Sequence, residues 1–280
     1  MTDNTKDDID LAPFRTHGIN TIISFSGGRT SGVLLYYVLK AHNWQLPENV
    51  KVVFRNTGKE RPETLDFINE VEKRWGVDIV WLEWTLEEPH YKIVDYETAS
   101  RNGEPFAELN KWKQFTPGPL ARFCTAFLKI NNLRAYIRER LQWDEWQSYV
   151  GIRADEPRRW RVEGPQAKCK AEVIELPLKT AKITKPYVME FWRRQPFDLQ
   201  LKSYEGNCDL CFLKGYKKRM LIMEENPHLA EWWIDQEQTT GFSFRPGQYY
   251  SDLYDYTTKQ MRLPLLPDVN DDLGECLCHD

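Results

Sequence analysis

Apolar and polar positions follow each other in blocks that predict strands and helices in alternation over the first 85 residues. Short β-branched and aromatic runs predict three strands, Thr21–Phe25, Val50–Arg55 and Val77–Trp84. Between them, apolar residues at helical spacing predict helices over Thr30–Ala41 and Pro62–Trp75. Strands and helices of these lengths in alternation are typical of a parallel sheet with crossover helices.

The same pattern continues with less regularity to the end of the chain. Residues 85–121 contain four prolines and predict loop and short helix, and residues 125–141 predict a helix. Further strands are predicted over 146–152 and 173–178, and further helices over 184–194, 212–225 and 227–238. The tail from Gly241 is rich in Tyr, Pro and Asp and predicts loop. We therefore predict an α/β fold, a twisted parallel sheet with helices on both faces, followed by a helical and irregular C-terminal region.

The first predicted strand ends in a run of small and polar residues, Ser26-Gly27-Gly28-Arg29-Thr30-Ser31. Two glycines let the backbone turn sharply and approach a ligand closely. The first N–H groups of the following helix, the hydroxyls and the Arg29 charge all favour a phosphate. In open α/β sheets, ligands bind beyond the carboxyl ends of the strands. The run therefore predicts a phosphate site, although an ordinary glycine-containing turn is the alternative; a G-x-x-x-x-G-K-[ST] loop is not present.

Two more predicted strands end in similar turns. FRNTGKERPET follows the second strand, with Asn56, Thr57 and Gly58 at its start, and GIRADE ends the fourth, with Arg153 in third position. Together with SFSGGRTS, these segments resemble the PP-loop nucleotide hydrolases (the adenine nucleotide alpha hydrolase superfamily). Within them the resemblance is to the phosphoadenylyl-sulfate (PAPS) reductase branch, and it covers about residues 20–215. The resemblance implies an adenine nucleotide as ligand. The nucleotide would be ATP, with Mg²⁺ if it is cleaved, or a sulfonucleotide, PAPS or adenylyl sulfate.

The resemblance also assigns residues to this nucleotide. It implies that the loop residues Ser26, Gly27, Gly28, Arg29, Thr30 and Ser31 surround phosphates and that Asn56, Thr57 and Gly58 lie near the nucleotide. Arg153, together with Arg158, would neutralise phosphate or sulfate, and we predict that Arg153 is catalytic. The alternative for Arg153 is a surface salt bridge. The chain would then divide into an N-terminal arm (1–18), a nucleotide-binding α/β domain (19–180) and a C-terminal region (181–280).

The charge distribution fits a polyanionic ligand held in one place. The formal net charge is −4, but residues 122–219 hold 21 Lys/Arg and 12 Asp/Glu, a local charge of +9. A solvated basic face is the alternative.

No apolar run approaches the length of a membrane span, and the polar N-terminus has no secretory pattern. We therefore expect a cytoplasmic protein without membrane association, whose six cysteines are metal ligands or catalytic groups rather than disulfides.

The cysteines form a second motif, a C-x-x-C made by Cys208 and Cys211, with Cys124 lying 84 positions earlier. Such a pair can be a zinc knuckle, an iron–sulfur half-site or a redox pair. Iron–sulfur adenylyl-sulfate reductases of the family carry a Cys-Cys pair and then a C-x-x-C at this spacing. The resemblance thus implies a [4Fe–4S] cluster, with zinc or no metal as alternatives. Because Thr125 replaces one expected cysteine, the fourth ligand is open, and Cys278 is favoured over Cys169, Cys276 or an external group.

The tail ends Glu275-Cys276-Leu277-Cys278-His279, which is similar to the E-C-G-[IL]-H segment of thiol-dependent PAPS reductases. That similarity implies a catalytic Cys276 whose thiolate attacks sulfur. Cys169 has no partner at a recognisable spacing and is expected to take no part. Trp192, Trp232 and Trp233 could stack on nucleic-acid bases, although core packing is favoured for them.

Three functions are compatible with these features. The first is an ATP pyrophosphatase that adenylates an acceptor and transfers sulfur to it with the assistance of an iron–sulfur cluster, and the intact loop favours it. The second is reduction of PAPS or adenylyl sulfate to sulfite by a tail thiolate. The third is a non-catalytic nucleotide- or nucleic-acid-binding module with structural zinc. A sulfur donor or thiol reductant protein is an expected partner of the enzymatic forms, and the sequence leaves a homodimer open.

Overall fold

A seven-stranded sheet forms the centre of the computed structural model, which describes residues 9–167, 169–206 and 208–259. Its strands are β1 (Thr21–Ser24), β2 (Val50–Asn56), β3 (Ile79–Glu83), β4 (Lys92–Val94), β5 (Trp146–Tyr149), β6 (Gly164–Gln166) and β7 (Cys169–Glu175). They are arranged in the order β4-β3-β2-β1-β5-β7-β6. The five inner strands, β3, β2, β1, β5 and β7, are parallel to their neighbours. Thr21 of β1 lies opposite Val50 of β2 on one side and Gln147 of β5 on the other. The predicted parallel sheet is confirmed.

The two edge strands, β4 and β6, are antiparallel to their neighbours and were not predicted. Each has three residues. β6 reads Gly-Pro-Gln, and an edge strand tolerates proline because one side of it needs no N–H donor.

The helices continue the alternation that the sequence predicted. They are α1 (Arg29–Ala41), α2 (Pro62–Trp75), α3 (Glu104–Lys113), α4 (Asn132–Tyr136), α5 (Pro177–Thr180), α6 (Lys185–Arg193), α7 (Tyr216–Glu225), α8 (Leu229–Thr240) and α9 (Tyr250–Lys259). α4 lies between two π-helical segments, Thr125–Asn131 and Ile137–Leu141, so residues 125–141 are helical throughout as predicted. Short 3₁₀ turns cover Ala12–Phe14 and Pro157–Val162.

The prediction of loop from Gly241 onward was wrong where α9 forms. Tyr250, Leu253 and Thr257 recur at helical spacing and are buried. Polar and tyrosine residues dominate this helix, so the apolar periodicity that signals a buried helix is weak there.

Alternate residues of the central strands pack against helices on opposite faces of the sheet. Ile23, Val52, Phe54 and Trp81 join the cluster that contains the apolar side chains of α1, α2 and α6. Their neighbours Ile22, Val53 and Leu82 pack against Leu133, Tyr136 and Ile137 of the 125–141 helix. Since successive side chains of a strand point to opposite faces, both faces are buried, and helices cover each of them as predicted.

A third apolar cluster lies beyond Trp84, at the carboxyl end of β3. Besides Trp84 it contains buried side chains of α3, of residues 124–128 and 208–212, and of α7 to α9. α6, which belongs to the predicted C-terminal region, packs instead on α1 in the main cluster, and Phe14 of the predicted arm is buried there too. Among the described residues, no helix is long and apolar enough to cross a membrane.

Candidate functional site

The loop between β1 and α1 depends on two glycines that differ in their surroundings. Gly27 has φ +73°, and a Cβ built there would lie 2.6 Å from Thr64 Cγ2 and 2.8 Å from Ile68 Cδ1. Gly28 has φ −95° and a β conformation, and the nearest atom to a Cβ built there would be Ser26 Oγ at 3.5 Å. Gly27 is therefore required for the turn to pack against α2. Gly28 instead keeps the loop backbone open on the side where a ligand can approach.

Serine side chains fix the shape of this loop. Ser31 Oγ donates a hydrogen bond to the Gly28 carbonyl (3.0 Å) and accepts one from the Ser26 N–H (3.2 Å), and the two serine hydroxyls lie 3.0 Å apart. α1 begins without a side-chain cap at Gly28. Its first N–H groups therefore remain for a ligand or water, and the helix dipole favours an anion at this position.

Arg153 connects the carboxyl end of β5 to the loop. Its NH1 donates to Thr30 Oγ1 (3.1 Å), and its Nε pairs with Asp155 Oδ1 at 3.0 Å. The buried Glu156 carboxylate accepts the Arg153 backbone N–H (2.8 Å) and Arg159 NH1 (2.6 Å). Against the effect of burial, the Lys185 N–H and the Arg153 guanidinium hold the pKa of Asp155 below its ordinary value. Both guanidinium groups are thus oriented by carboxylates next to the loop.

These segments border a cavity of about 200 Å³ at the carboxyl ends of β1 and β5. Among the described residues, the lining contains seven Lys and Arg side chains and one carboxylate, Glu156; the cations are Arg29, Arg153, Arg159, Lys185, Lys202, Lys214 and Lys218. The loop residues Ser26, Gly28, Thr30 and Ser31 line it as well. We call this cavity the cationic cleft. Its position, its loop and its charge suit a ligand with several anionic groups.

One predicted arginine, Arg158, lies away from the cleft, and its neighbour takes its place. Arg158 is exposed and does not line the cleft, whereas Arg159 does. Residues 157–162 form a 3₁₀ turn, and the three-residue spacing from Glu156 to Arg159 brings these two side chains together. Glutamate and arginine three positions apart were a signal that could have identified Arg159.

Arg29 lines the cleft, but its guanidinium is engaged elsewhere. Nε and NH2 donate to the Asp198 carboxylate at 2.8 and 2.9 Å, and further hydrogen bonds go to the carbonyls of Leu199 and Leu201. The side chain therefore holds the 198–201 loop against the start of α1, and its charge is balanced by Asp198. Because Asp198 lies 169 positions away in the chain, the sequence pattern could not show this pairing.

Asn56, Thr57 and Gly58 form the turn after β2 and do not line the cationic cleft. Asn56 is buried and donates to Glu83 Oε1 (2.6 Å) and to the Ser100 carbonyl, and its Oδ1 accepts the Gly58 N–H. Thr57 donates through its N–H and hydroxyl to Glu60, both at 2.9 Å. Burial raises the pKa of Glu60. These hydrogen bonds, within the turn and to Glu83 and Ser100, fix the shape of the turn.

The turn after β2 is joined to the C-x-x-C segment. The Asp209 N–H donates to the Lys59 carbonyl (2.8 Å), and Lys59 Nζ pairs with Asp209 Oδ2 at 2.8 Å, with both side chains less than a tenth exposed. Thr57 Oγ1 lies 3.5 Å from Cys208 Sγ. Lys59 and Asp209 were not singled out in the sequence. Removing one member of such a buried pair costs about 3–5 kcal/mol, so this connection is a fixed part of the fold.

Cys124, Cys208 and Cys211 are buried in the same apolar cluster, the one beyond Trp84. None of the cysteines in the described part of the chain forms a disulfide. Within 9–167, 169–206 and 208–259, no group of three or more His, Cys, Asp or Glu side chains is placed to hold a metal ion. A [4Fe–4S] group usually has four cysteine thiolates as ligands, and this apolar cluster contains three cysteines.

The remaining predicted residues either do not line the cationic cleft or lie outside the described part of the chain. Cys169 is buried on β7, in the cluster that faces the 125–141 helix. Cys276 and Cys278 lie outside the described residues. Trp192 and Trp233 are at most 1% exposed, so both pack in the core and neither offers a face to a nucleic-acid base.

Comparison with known sequences points in one direction. The family model described as the phosphoadenosine phosphosulfate reductase domain matches residues 20–176. The chain is 31% identical over 238 residues to the uncharacterized nin region protein ORF290 of Escherichia phage lambda, a match that covers 81% of this chain and 76% of that protein. It is 37% identical over 79 residues to an adenosine 5'-phosphosulfate reductase of Pseudomonas aeruginosa, which covers 28% of this chain and 27% of that enzyme.

Two solved structures are similar at a lower level. A PAPS reductase from Candida auris in a phosphate complex is 18% identical, with a TM-score of 0.41 and coverage of 64% of this chain and 74% of that one. The U34-tRNA thiolase NcsA from Methanococcus maripaludis, with its [4Fe-4S] cluster, is 15% identical, with a TM-score of 0.44 and coverage of 86% and 73%. Both TM-scores lie below 0.5, so the sequence matches carry the family assignment.

Proposed function

Because the chain belongs to the phosphoadenosine phosphosulfate (PAPS) reductase domain family, we propose that it is an enzyme that binds an adenine nucleotide in the cationic cleft and uses it for sulfur chemistry. The observation that supports this most is the cleft itself, where seven cationic side chains and the serine-fixed loop surround about 200 Å³ at the strand ends. Ser26, Gly28, Thr30 and Ser31 would bind one phosphate, and Arg153 would neutralise charge on the group that leaves.

The reaction we favour is adenylation followed by sulfur transfer. An acceptor oxygen attacks the α-phosphorus of ATP, and pyrophosphate leaves as the bond between the α-phosphorus and its bridging oxygen breaks. A donor protein supplies sulfur in the oxidation state of hydrosulfide. This sulfur attacks the acceptor carbon and forms a carbon–sulfur bond, and the carbon–oxygen bond breaks as AMP leaves with the oxygen. The loop supports this proposal, since both glycines and both serines are present and its first-turn N–H groups face no capping side chain.

Reduction of PAPS or adenylyl sulfate is the second candidate, and one feature of the cleft favours it. Glu156, which supplies the carboxylate of the cleft among the described residues, accepts hydrogen bonds from Arg153 and Arg159. It is therefore poorly placed to ligate the Mg²⁺ that ATP cleavage requires. In this reaction the Cys276 thiolate attacks the sulfate sulfur, the nucleotide leaves, and a thiol of a reductant protein then releases sulfite and forms a disulfide with Cys276.

An iron–sulfur cluster would belong to either reaction. Cys124, Cys208 and Cys211 would supply three ligands, and Cys278 or an external group the fourth. When bound, such a cluster with one iron not ligated by a protein thiolate would supply an open position for sulfur. The turn after β2 would then hold Cys208 in place through Thr57 and the Lys59–Asp209 pair.

Product analysis separates these proposals. The full chain, purified without oxygen, is incubated with ATP and Mg²⁺ or with PAPS and a dithiol, and pyrophosphate and sulfite are measured. Pyrophosphate from ATP supports adenylation, and it should survive in Cys276→Ser. Sulfite from PAPS that is lost in Cys276→Ser supports reduction. A protein that yields neither product and contains one zinc and no iron would contradict the enzymatic proposal and support a binding module.

A further inference from the structure

Lys214 lies three positions after Cys211 and lines the cationic cleft. It is 3% exposed, and its Nζ donates to the carbonyls of Gly206 and Cys208, the latter at 2.9 Å. Among the described residues, Lys214 forms an ion pair with no carboxylate. A buried ammonium is costly unless a counter-charge and hydrogen bonds compensate it. The two carbonyls provide hydrogen bonds but no negative charge to balance the ammonium.

An anionic ligand group completes this environment. An ammonium has three N–H donors, and two of those on Lys214 are used by the carbonyls. We propose that the third donor of Lys214 binds a phosphate or sulfate oxygen of the nucleotide, at the part of the cleft next to the C-x-x-C turn. This inference rests on the proposed function, in that it requires a nucleotide in the cleft.

The placement of Lys214 also specifies what kind of nucleotide fits. The β1–α1 loop provides one anion site, and Lys214 belongs to a separate segment of the lining, from Lys202 to Lys218. The ligand should therefore carry at least two anionic groups, one for each segment. Because Lys214 also donates to the Cys208 carbonyl, the same ammonium contacts the ligand and the backbone of a predicted cluster ligand.

The test compares Lys214→Met with Lys217→Met, a neighbouring exposed lysine on α7 that does not line the cleft. Calorimetry with ATP, PAPS and adenosine is performed on the full chain. A charge-assisted hydrogen bond predicts that Lys214→Met weakens ATP or PAPS binding by about tenfold or more. Binding of adenosine, which has no anionic group, should stay within about twofold, and Lys217→Met should match wild type in all titrations.

Equal affinity of wild type and Lys214→Met for both ATP and PAPS would overturn the inference. A wild-type protein that binds neither nucleotide would instead contradict the proposed function, so the two failures are distinguishable. If Lys214→Met does not fold, Lys214→Arg and Lys214→Gln replace it, because both keep a donor for the two carbonyls. The neutral glutamine should then bind ATP or PAPS at least about fivefold more weakly than the arginine, and equal affinities would overturn the inference.

Discussion

Alanine should destabilise the protein at Gly27 and leave its stability almost unchanged at Gly28, because the two glycines differ in backbone conformation and in surroundings. At Gly27, alanine must adopt φ +73°, which costs about 1–2 kcal/mol for a residue with a Cβ. That Cβ would also lie 2.6 Å from Thr64 and 2.8 Å from Ile68, and overpacking of this kind costs about 1–3 kcal/mol. Gly27→Ala should therefore lower the free energy of unfolding by about 2–5 kcal/mol.

Gly28→Ala is the matched control. Its backbone is at φ −95°, and its nearest contact would be an ordinary 3.5 Å to Ser26 Oγ. The free energy of unfolding should stay within about 0.5 kcal/mol of wild type. Urea unfolding followed by the fluorescence of the 11 tryptophans measures both variants, with unchanged m-values as the sign that only stability changed. Equal unfolding free energies for Gly27→Ala and Gly28→Ala would refute this account of the loop.

Three further predictions follow from other contacts. Arg29→Met, which removes the ion pair with Asp198 and the hydrogen bonds to two carbonyls, should cost about 1–3 kcal/mol in urea unfolding, and an unchanged midpoint would show that Arg29 does not anchor the 198–201 loop. Burial raises the pKa of Glu237, so the folded state holds that proton more tightly than the unfolded chain. Wild-type stability should thus fall as pH rises from about 4.5 through the raised pKa, and Glu237→Gln should lack that part of the fall. Anaerobically purified wild type should contain iron and sulfide, the double variant Cys208→Ser, Cys211→Ser should lack them, and Cys169→Ser should keep them; full iron occupancy in the double variant would contradict the cluster assignment.

The two predicted motifs are physically connected in the structure. Lys59 follows the predicted Asn56-Thr57-Gly58 segment and pairs with Asp209, between the two cysteines of the C-x-x-C. Lys214, which follows the second cysteine, reaches the cationic cleft. The segment from 208 to 218 therefore contacts both the turn after β2 and the nucleotide site that we propose. This arrangement gives a structural reason for one protein to combine a phosphate loop with buried thiols.

The sequence predicts the parts of the fold that local patterns determine. α2 has the predicted bounds, because Pro62 sets its start and Gly76, in a left-handed conformation at φ 61°, ends it. The predicted phosphate loop is also local, since its glycines and serines lie within six consecutive residues. Edge strands of three residues and the tyrosine-rich α9 were missed because their patterns are short or weakly apolar.

Contacts between distant segments could not be predicted in the same way. The pairing of Arg29 with Asp198 and the proximity of Lys214 to the cleft depend on how α6 and the 198–218 segment return to the sheet. The choice of Arg159 over Arg158 depends on the turn over 157–162, which brings Arg159 next to Glu156 and leaves Arg158 exposed. A sequence motif thus predicts the residue types of a site, whereas the tertiary structure determines which charged side chains line the cleft.

The most direct test of the central claim is a calorimetric titration of the full chain with ATP and with PAPS, performed on wild type and Arg153→Met. Arg153 lines the cleft and donates to Thr30 of the loop. We expect wild type to bind at least one of the two nucleotides at one site per chain, and Arg153→Met to bind it about tenfold or more weakly. Absence of binding to wild type, or unchanged affinity in a folded Arg153→Met, would contradict a nucleotide site in the cationic cleft.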